Sequence, residues 1–243
     1  MIRCKKIGRF ILILSLMVFF SSTVSAQNAD TIKSEIYSKL KCCDCGMKFE
    51  KCRCAHAGPM KAYIDAFLEN KTPKEEIYYK VAKKFSLNTI IDEKVKQDLE
   101  KRLTAEAGPL RPQIVIEPAS FHFGEVSRQK GKISKVFKVH NKGKASLVIT
   151  NIKTSCACTL AALSVGKNKS PYFGTKGAPV DWQAELKPDE AGELGVVLDL
   201  NHKSVKAGDL IREVSIKSND PLYPEVSLRV EAQVSAQESR NAR

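Results

Sequence analysis

Between residues 30 and 105 apolar side chains recur every three or four positions, and beyond residue 113 they recur every two. Ile32, Ile36 and Leu40 repeat at intervals of four behind Asp30 and Thr31, which can cap a helix start. After Gly58-Pro59, the residues Met60, Tyr63, Ile64, Phe67 and Leu68 form a stripe at helical spacing, which Asn70 and Lys71 break. Thr72-Pro73-Lys74-Glu75 combines a capping box with proline at the first helical position, and Ile77, Val81 and Phe85 carry the next stripe. A fourth helix from about Asp92 to Ala105 places Val95, Leu99 and Leu103 among charges. Each helix is short and one-sided, so the helices must pack on one another to persist.

Gly108-Pro109-Leu110-Arg111-Pro112 ends the helical region, because two prolines in four residues cannot continue a helix. The segments that follow are short and β-branched: Ile114–Ile116, Val136–Val139, Ser146–Ile149, Val196–Leu198 and Val214–Ile216. Asn141-Lys142-Gly143-Lys144 and Ser218-Asn219-Asp220-Pro221 read as turns between them. About seven such strands fit an antiparallel sandwich. The pattern predicts an α+β chain in separate domains. Helices occupy 27–106, a linker 107–113, a β-sandwich 114–236 and a tail 237–243. Val165–Pro179, rich in Lys, Gly and Pro, reads as a long loop.

The N-terminus adds a compartment. Arg3, Lys5, Lys6 and Arg9 precede an almost wholly apolar run from Phe10 to Phe20, and Val24-Ser25-Ala26 offers small residues for cleavage. This is the secretory pattern, with 1–26 as signal peptide and a periplasmic destination. The apolar run falls short of the roughly 20 residues that a membrane span needs. If uncleaved, the same segment would tether the protein to the membrane.

With 1–26 removed, 36 Lys and Arg face 27 Asp and Glu. A basic balance invites a nucleic-acid reading. Export argues against it, and the lysines are scattered rather than banded, so no nucleic-acid partner is expected. The charge fits a solvated surface with some attraction to anionic lipid headgroups or acidic partners. Seven of the eight cysteines lie beyond the signal segment, and an odd number cannot all pair within one chain.

Five thiols and one imidazole fall within fifteen residues: Cys42, Cys43, Cys45, Cys52, Cys54 and His56. Three chemistries compete there. A disulfide clip would staple a small exported domain, at roughly 2–4 kcal/mol per bond. Alternatively, Cys42, Cys45, Cys52, Cys54 and His56 could close on zinc or Cu(I), although Cys52-x-Cys54 is tighter than usual zinc spacing. Finally, Cys42-x-x-Cys45 has the spacing by which one thiol attacks and a second resolves a mixed disulfide. Lys41, Lys48, Lys51 and Arg53 would favour thiolates, and Asp44 would oppose them. Spacing alone does not choose among these.

Leu40-x-Cys42-x-x-Cys45, Gly46-Met47, Cys52-x-Cys54 and the Met60–Phe85 helical pair resemble the N-terminal domain of the CcmH/NrfF cytochrome c biogenesis family. Lys71-Thr72-Pro73-Lys74-Glu75-Glu76-Ile77 resembles its inter-helix segment. Lys41 stands where that family has arginine, Cys43 is an extra thiol, and a β-domain follows where a membrane helix is common. The resemblance, over residues 31–90, implies a three-helix bundle. It also implies apocytochrome c and the haem-ligation machinery as partners, with Cys42 and Cys45 as the exchanging pair. Haem would be handled indirectly rather than bound as a cofactor.

Cys156-Ala157-Cys158 follows a predicted strand. Residues two apart on an extended chain share one face, so both sulfurs would point the same way. Two buried small hydrophobes, a redox pair and a pair of soft-metal ligands all remain open. Phe123-Gly124-Glu125-Val126, Phe137-x-Val139-x-Asn141-x-Gly143, Ser155-Cys156-x-Cys158-Thr159 and Ser218-Asn219-Asp220-Pro221 resemble the DUF1573 family of Ig-like domains over about residues 115–234. Ala157 stands where that family has glycine. The resemblance implies an Ig-like fold and no mechanism. His122 and His140 read as surface or satisfied histidines, His202 as a turn residue and Trp182 as core or rim. No Ser/His/Asp set or phosphate loop can be assigned.

Overall fold

A computed structural model describes residues 30–42, 46–54 and 57–236. The expected signal segment, Cys43, Cys45, His56 and the C-terminal tail therefore lie outside the described residues. Four helices lead: α1 (30–38), α2 (Ala57–Glu69), α3 (Lys74–Phe85) and α4 (Glu93–Ala107). Ten strands follow: β1 (Ile114–Glu117), β2 (Ser120–Val126), β3 (Lys132–Asn141), β4 (Leu147–Thr154), β5 (Thr159–Val165), β6 (Asn168–Lys169), β7 (Ala184–Leu186), β8 (Ala191–Asp199), β9 (Gly208–Ser218) and β10 (Glu225–Val234). Among the described residues no helix is long and apolar enough to cross a membrane.

The chain packs as two compact units. Of the described residues, one unit contains those up to Val81 together with Thr89–Lys96, and the other contains Ala82–Asn88 and those from Gln97 to Ala236. In the first unit the predicted stripes are buried at their centres, while Ile32, Tyr63, Phe67 and Leu68 are half-buried. Ile36 and Leu40, Met60 and Ile64 of α2, and Ile77 and Val81 of α3 are fully buried. Pro73 accepts at its carbonyl from the amides of Glu76 and Ile77, so α3 begins one residue later than the capping-box reading. The segment after α1 is held by an antiparallel bridge between Leu40 and Ile90. Lys41 donates to Thr89 O at 2.8 Å, and Ile91 donates to Lys39 O at 2.9 Å.

The second unit is built on a two-sheet β-sandwich, with sheet orders β1-β3-β8-β5-β6 and β2-β10-β9-β4-β7. In β8 alternate residues Gly192, Leu194, Val196 and Leu198 face inward, the period-two signature of a strand with one buried face. They meet Phe137, Ile149, Ile152, Val214, Ile216, Leu228 and Val230 in one core. One pairing departs from the antiparallel expectation, because β2 runs parallel to β10. The chain changes sheets between β1 and β2 at Pro118, which has no amide hydrogen to extend the ladder.

The Val165–Pro179 segment is not simply a loop. It returns along β5 through β6 and a bridge between Ala161 and Phe173. Phe173 enters the core and meets Trp182 edge-on at 4.8 Å, so Trp182 packs as expected against the core. Local apolar content was too low there to mark a strand.

Two motif residues prove to be structural. Asn141 Oδ1 accepts from the amides of Gln113 and Gly143, while its Nδ2 donates to Ala145 O and Leu186 O. Buried Asp220 accepts from Ile114 N, Leu222 N and Tyr223 N. Gly143 must be glycine, because a Cβ there would stand 2.3 Å from Arg111 O. Together these groups fix the entry of β1 and the turn after β9.

Candidate functional site

The cysteine loop grows out of the end of α1. Lys41 bridges Lys48, Cys42 donates to Met47 O at 2.9 Å, and Phe49 donates to Leu40 O at 3.0 Å. Gly46, at φ 65°, donates to Cys42 O and closes the loop at a conformation that favours glycine. A single 3-10 turn, Phe49–Lys51, then reverses the chain, with Cys52 donating to Phe49 O. Ala57 donates to Cys54 O where α2 starts.

This double reversal brings three sulfurs together. Cys54 Sγ lies 3.4 Å from Cys42 Sγ and 3.4 Å from Cys52 Sγ, and all three fall within 4.8 Å of one another. Cys42 and Cys52 are buried, whereas Cys54 is partly exposed. Of the thiols that the exchange and metal readings name, the fold sets Cys52 and Cys54 beside Cys42, and Cys45 lies outside the described residues. Cationic groups gather at Cys52, whose carbonyl accepts from Lys61 Nζ at 3.2 Å and Arg53 Nη1 at 3.1 Å. Arg53 was anticipated. Lys61 was not, since it reaches the loop from the next helix. It also lies over the Phe49 ring at 5.6 Å, and Phe49 meets Tyr37 edge-on at 4.9 Å. Burial, then the bond that Tyr37 donates to Asp65, push the Tyr37 phenol above its ordinary range, so it remains a neutral donor.

Three soft ligands in a cluster this size can also hold a thiophilic metal. A tetrahedral ion bound at about 2.3 Å spaces its sulfurs about 3.8 Å apart. The observed spacings would need only small adjustments.

The second cysteine pair is a disulfide, Cys156–Cys158, at the turn between β4 and β5. It encloses only three residues, so its constraint on the unfolded chain contributes about 1.5 kcal/mol in the loop-entropy account. Cys158 is buried and Cys156 is half-exposed. Residues 155–159 supply the Ser-Cys-x-Cys-Thr sequence on a β-sandwich turn. Residues 114–171 match the model of the DUF1573 family.

That family is described as a protein of unknown function, and the match is shorter than the expected 115–234 and does not extend to the helices. No curated protein matches the chain. Similar solved structures include a protein of unknown function from Porphyromonas gingivalis W83, with 16% identity over 52% of this chain and 49% of that one, at a TM-score of 0.39. Another is PapD-like domain 7 of human CEP192, with 10% identity over 54% of this chain and 91% of that one, at 0.33. A third is the periplasmic chaperone SfaE, with 12% identity over 52% and 59%, also at 0.33. The chain thus spans about half the length of the Porphyromonas protein.

The histidines divide. His122 Nδ1 accepts from Gly124 N at 2.8 Å, and His140 Nε2 lies 3.4 Å from Glu117. His202 sits in a turn, as expected, but its Nδ1 is 2.8 Å from Ser204 Oγ beside the Cys156–Cys158 disulfide.

Proposed function

We propose that this protein is an exported accessory of c-type cytochrome maturation. It engages or reduces apocytochrome thiols by thiol–disulfide exchange before haem is ligated. The observation that carries the reading is the convergence of Cys42, Cys52 and Cys54, joined to the resemblance of Leu40-Lys41-Cys42-x-x-Cys45 and the helices around it to the CcmH/NrfF family.

Haem thioethers form only from free thiols, and an oxidising compartment converts those thiols to a disulfide. A thiolate of the Cys42/Cys45 pair attacks the apocytochrome disulfide, forms a mixed disulfide and releases one substrate thiolate. The second thiol of the pair then attacks the mixed disulfide, frees the other substrate thiol and leaves the accessory oxidised. Cys54 touches both Cys42 and Cys52, so a disulfide can pass between them with movement of about 1.4 Å from contact to bond length. A Cys42→Ser, Cys45→Ser double variant should abolish or strongly reduce cytochrome c assembly in the host. Normal assembly with that variant would sink the reading.

A second reading is favoured by the same three-sulfur geometry: an extracytoplasmic carrier of zinc or Cu(I). It predicts stoichiometric metal on protein purified under reducing conditions, lost on Cys52→Ser or Cys54→Ser. Metal-free protein that folds and exchanges disulfides excludes it. Cysteines that stay bonded through a redox titration would instead mark the cluster as a structural staple.

A further inference from the structure

The Cys156–Cys158 disulfide is surrounded by groups that a staple does not need. Its turn is clamped from both sheets. Ser155 donates to Glu213 O at 2.9 Å, Asp199 donates to Cys158 O at 2.8 Å, and Thr154 Oγ1 lies 3.1 Å from Cys156 O and 3.0 Å from Thr159 O. Within that frame Arg212 Nε points at Cys158 Sγ from 2.9 Å. Burial disfavours the charged guanidinium, so the arginine's charge is held beside the sulfur at some desolvation cost. Ser204 Oγ lies 3.1 Å from Cys156 Sγ and 2.8 Å from His202 Nδ1, giving a hydroxyl backed by an imidazole. The amide of Cys158 also points at Cys156 Sγ, from 3.2 Å.

A disulfide sulfur is a weak acceptor, so a guanidinium and a hydroxyl aimed at this pair gain little while the bond is closed. They gain much more from a thiolate, to which charge-assisted hydrogen bonds are strong. The two sulfurs also differ in access, with Cys156 half-exposed and Cys158 buried.

We propose that Cys156–Cys158 is a second thiol–disulfide exchange site, acting on a partner dithiol. Cys156 is the sulfur that forms the mixed disulfide, and Cys158 is the thiolate held by Arg212. One partner thiolate attacks Cys156 Sγ, the S–S bond breaks, and its electron pair leaves on Cys158 Sγ. The second partner thiolate attacks the mixed disulfide and forms the partner's own disulfide. Cys156 leaves as a thiolate within hydrogen-bond reach of Ser204 Oγ and takes its proton from solvent. Two electrons pass from partner to protein, so the partner is oxidised and the pair reduced. The reverse run uses the same groups. The site is separate from the cysteine cluster and stands or falls independently of the function proposed there.

Glutathione serves as the probe, with the full chain in native buffer. After alkylation, trypsin releases residues 154–167, a peptide that carries Cys156 and Cys158 and no other cysteine. Glutathione should reduce this bond in folded protein, with Trp182 fluorescence unchanged. Arg212→Met should slow the reduction about tenfold, the scale of one charge-assisted hydrogen bond, and Arg212→Lys should restore much of it. Incubated with oxidised glutathione, Cys158→Ser should trap one glutathione on Cys156 and release the other as the thiol. If that variant does not fold, the Arg212 pair decides. A bond that opens only on denaturation, or Arg212→Met reduced at the native rate, overturns the proposal.

Discussion

Replacing Asn141 by alanine tests whether the turn motif of the sandwich is structural, and the expected cost follows from its contacts. The side chain is fully buried at the end of β3 and makes four hydrogen bonds, all to backbone groups. The bonds to Gly143 N and Leu186 O are buried, and alanine leaves both groups unpaired at about 1–3 kcal/mol each. Those to Gln113 N and Ala145 O are partly buried, and water can replace the lost partner at a cost of about 0.5 kcal/mol each. The sum is about 3–7 kcal/mol, a large part of the 5–15 kcal/mol that stabilises an ordinary domain. Urea unfolding followed by Trp182 fluorescence reads this unit alone, because Trp182 is the single tryptophan and packs on Phe173. Asn141→Asp is the sharper variant. It keeps the acceptor oxygen but turns a carboxylate toward Ala145 O and Leu186 O, so it should cost at least as much. A loss below about 1 kcal/mol for the alanine variant would refute the account.

Two further outcomes follow from single contacts in the helical unit. The Tyr78 hydroxyl is buried with no hydrogen-bond partner among the described residues, so Tyr78→Phe should hold or raise stability by up to about 1 kcal/mol in a helix-monitored melt. A clear loss would show that the hydroxyl is satisfied. Asp92 Oδ1 accepts from Val95 N at the start of α4, and that bond, helped by Lys39 against the opposing effect of burial, holds its carboxyl below the ordinary value. Its contribution is therefore complete above about pH 4, the unfolded value, and fades as pH falls through the lower folded value. Asp92→Ala should cost about 1 kcal/mol at neutral pH and progressively less in acid, and a pH-independent difference would contradict the cap.

What the sequence determined by itself is the order and kind of elements. The change of apolar period across Gly108–Pro112 marked helices before strands, because the period of burial is a property of local backbone geometry. The faces were legible for the same reason: Ile36, Met60, Ile64, Ile77, Leu99 and Leu103 are all buried. The short strands β6 and β7 were not, since two or three residues carry no period and are held only by their partners. The cysteine loop was visible as chemistry but not as an arrangement. That Cys52 and Cys54 fold back onto Cys42 depends on the bridge of Lys41 to Lys48 and the 3-10 turn that follows. Arg212 gave no signal at all, because it stands 54 residues from Cys158. Only the register of β9 in its sheet and the packing of that sheet against β5 and β8 set its guanidinium on the sulfur. Local propensity fixes which face of an element is apolar, whereas contact between distant polar groups is decided when the elements are brought into register.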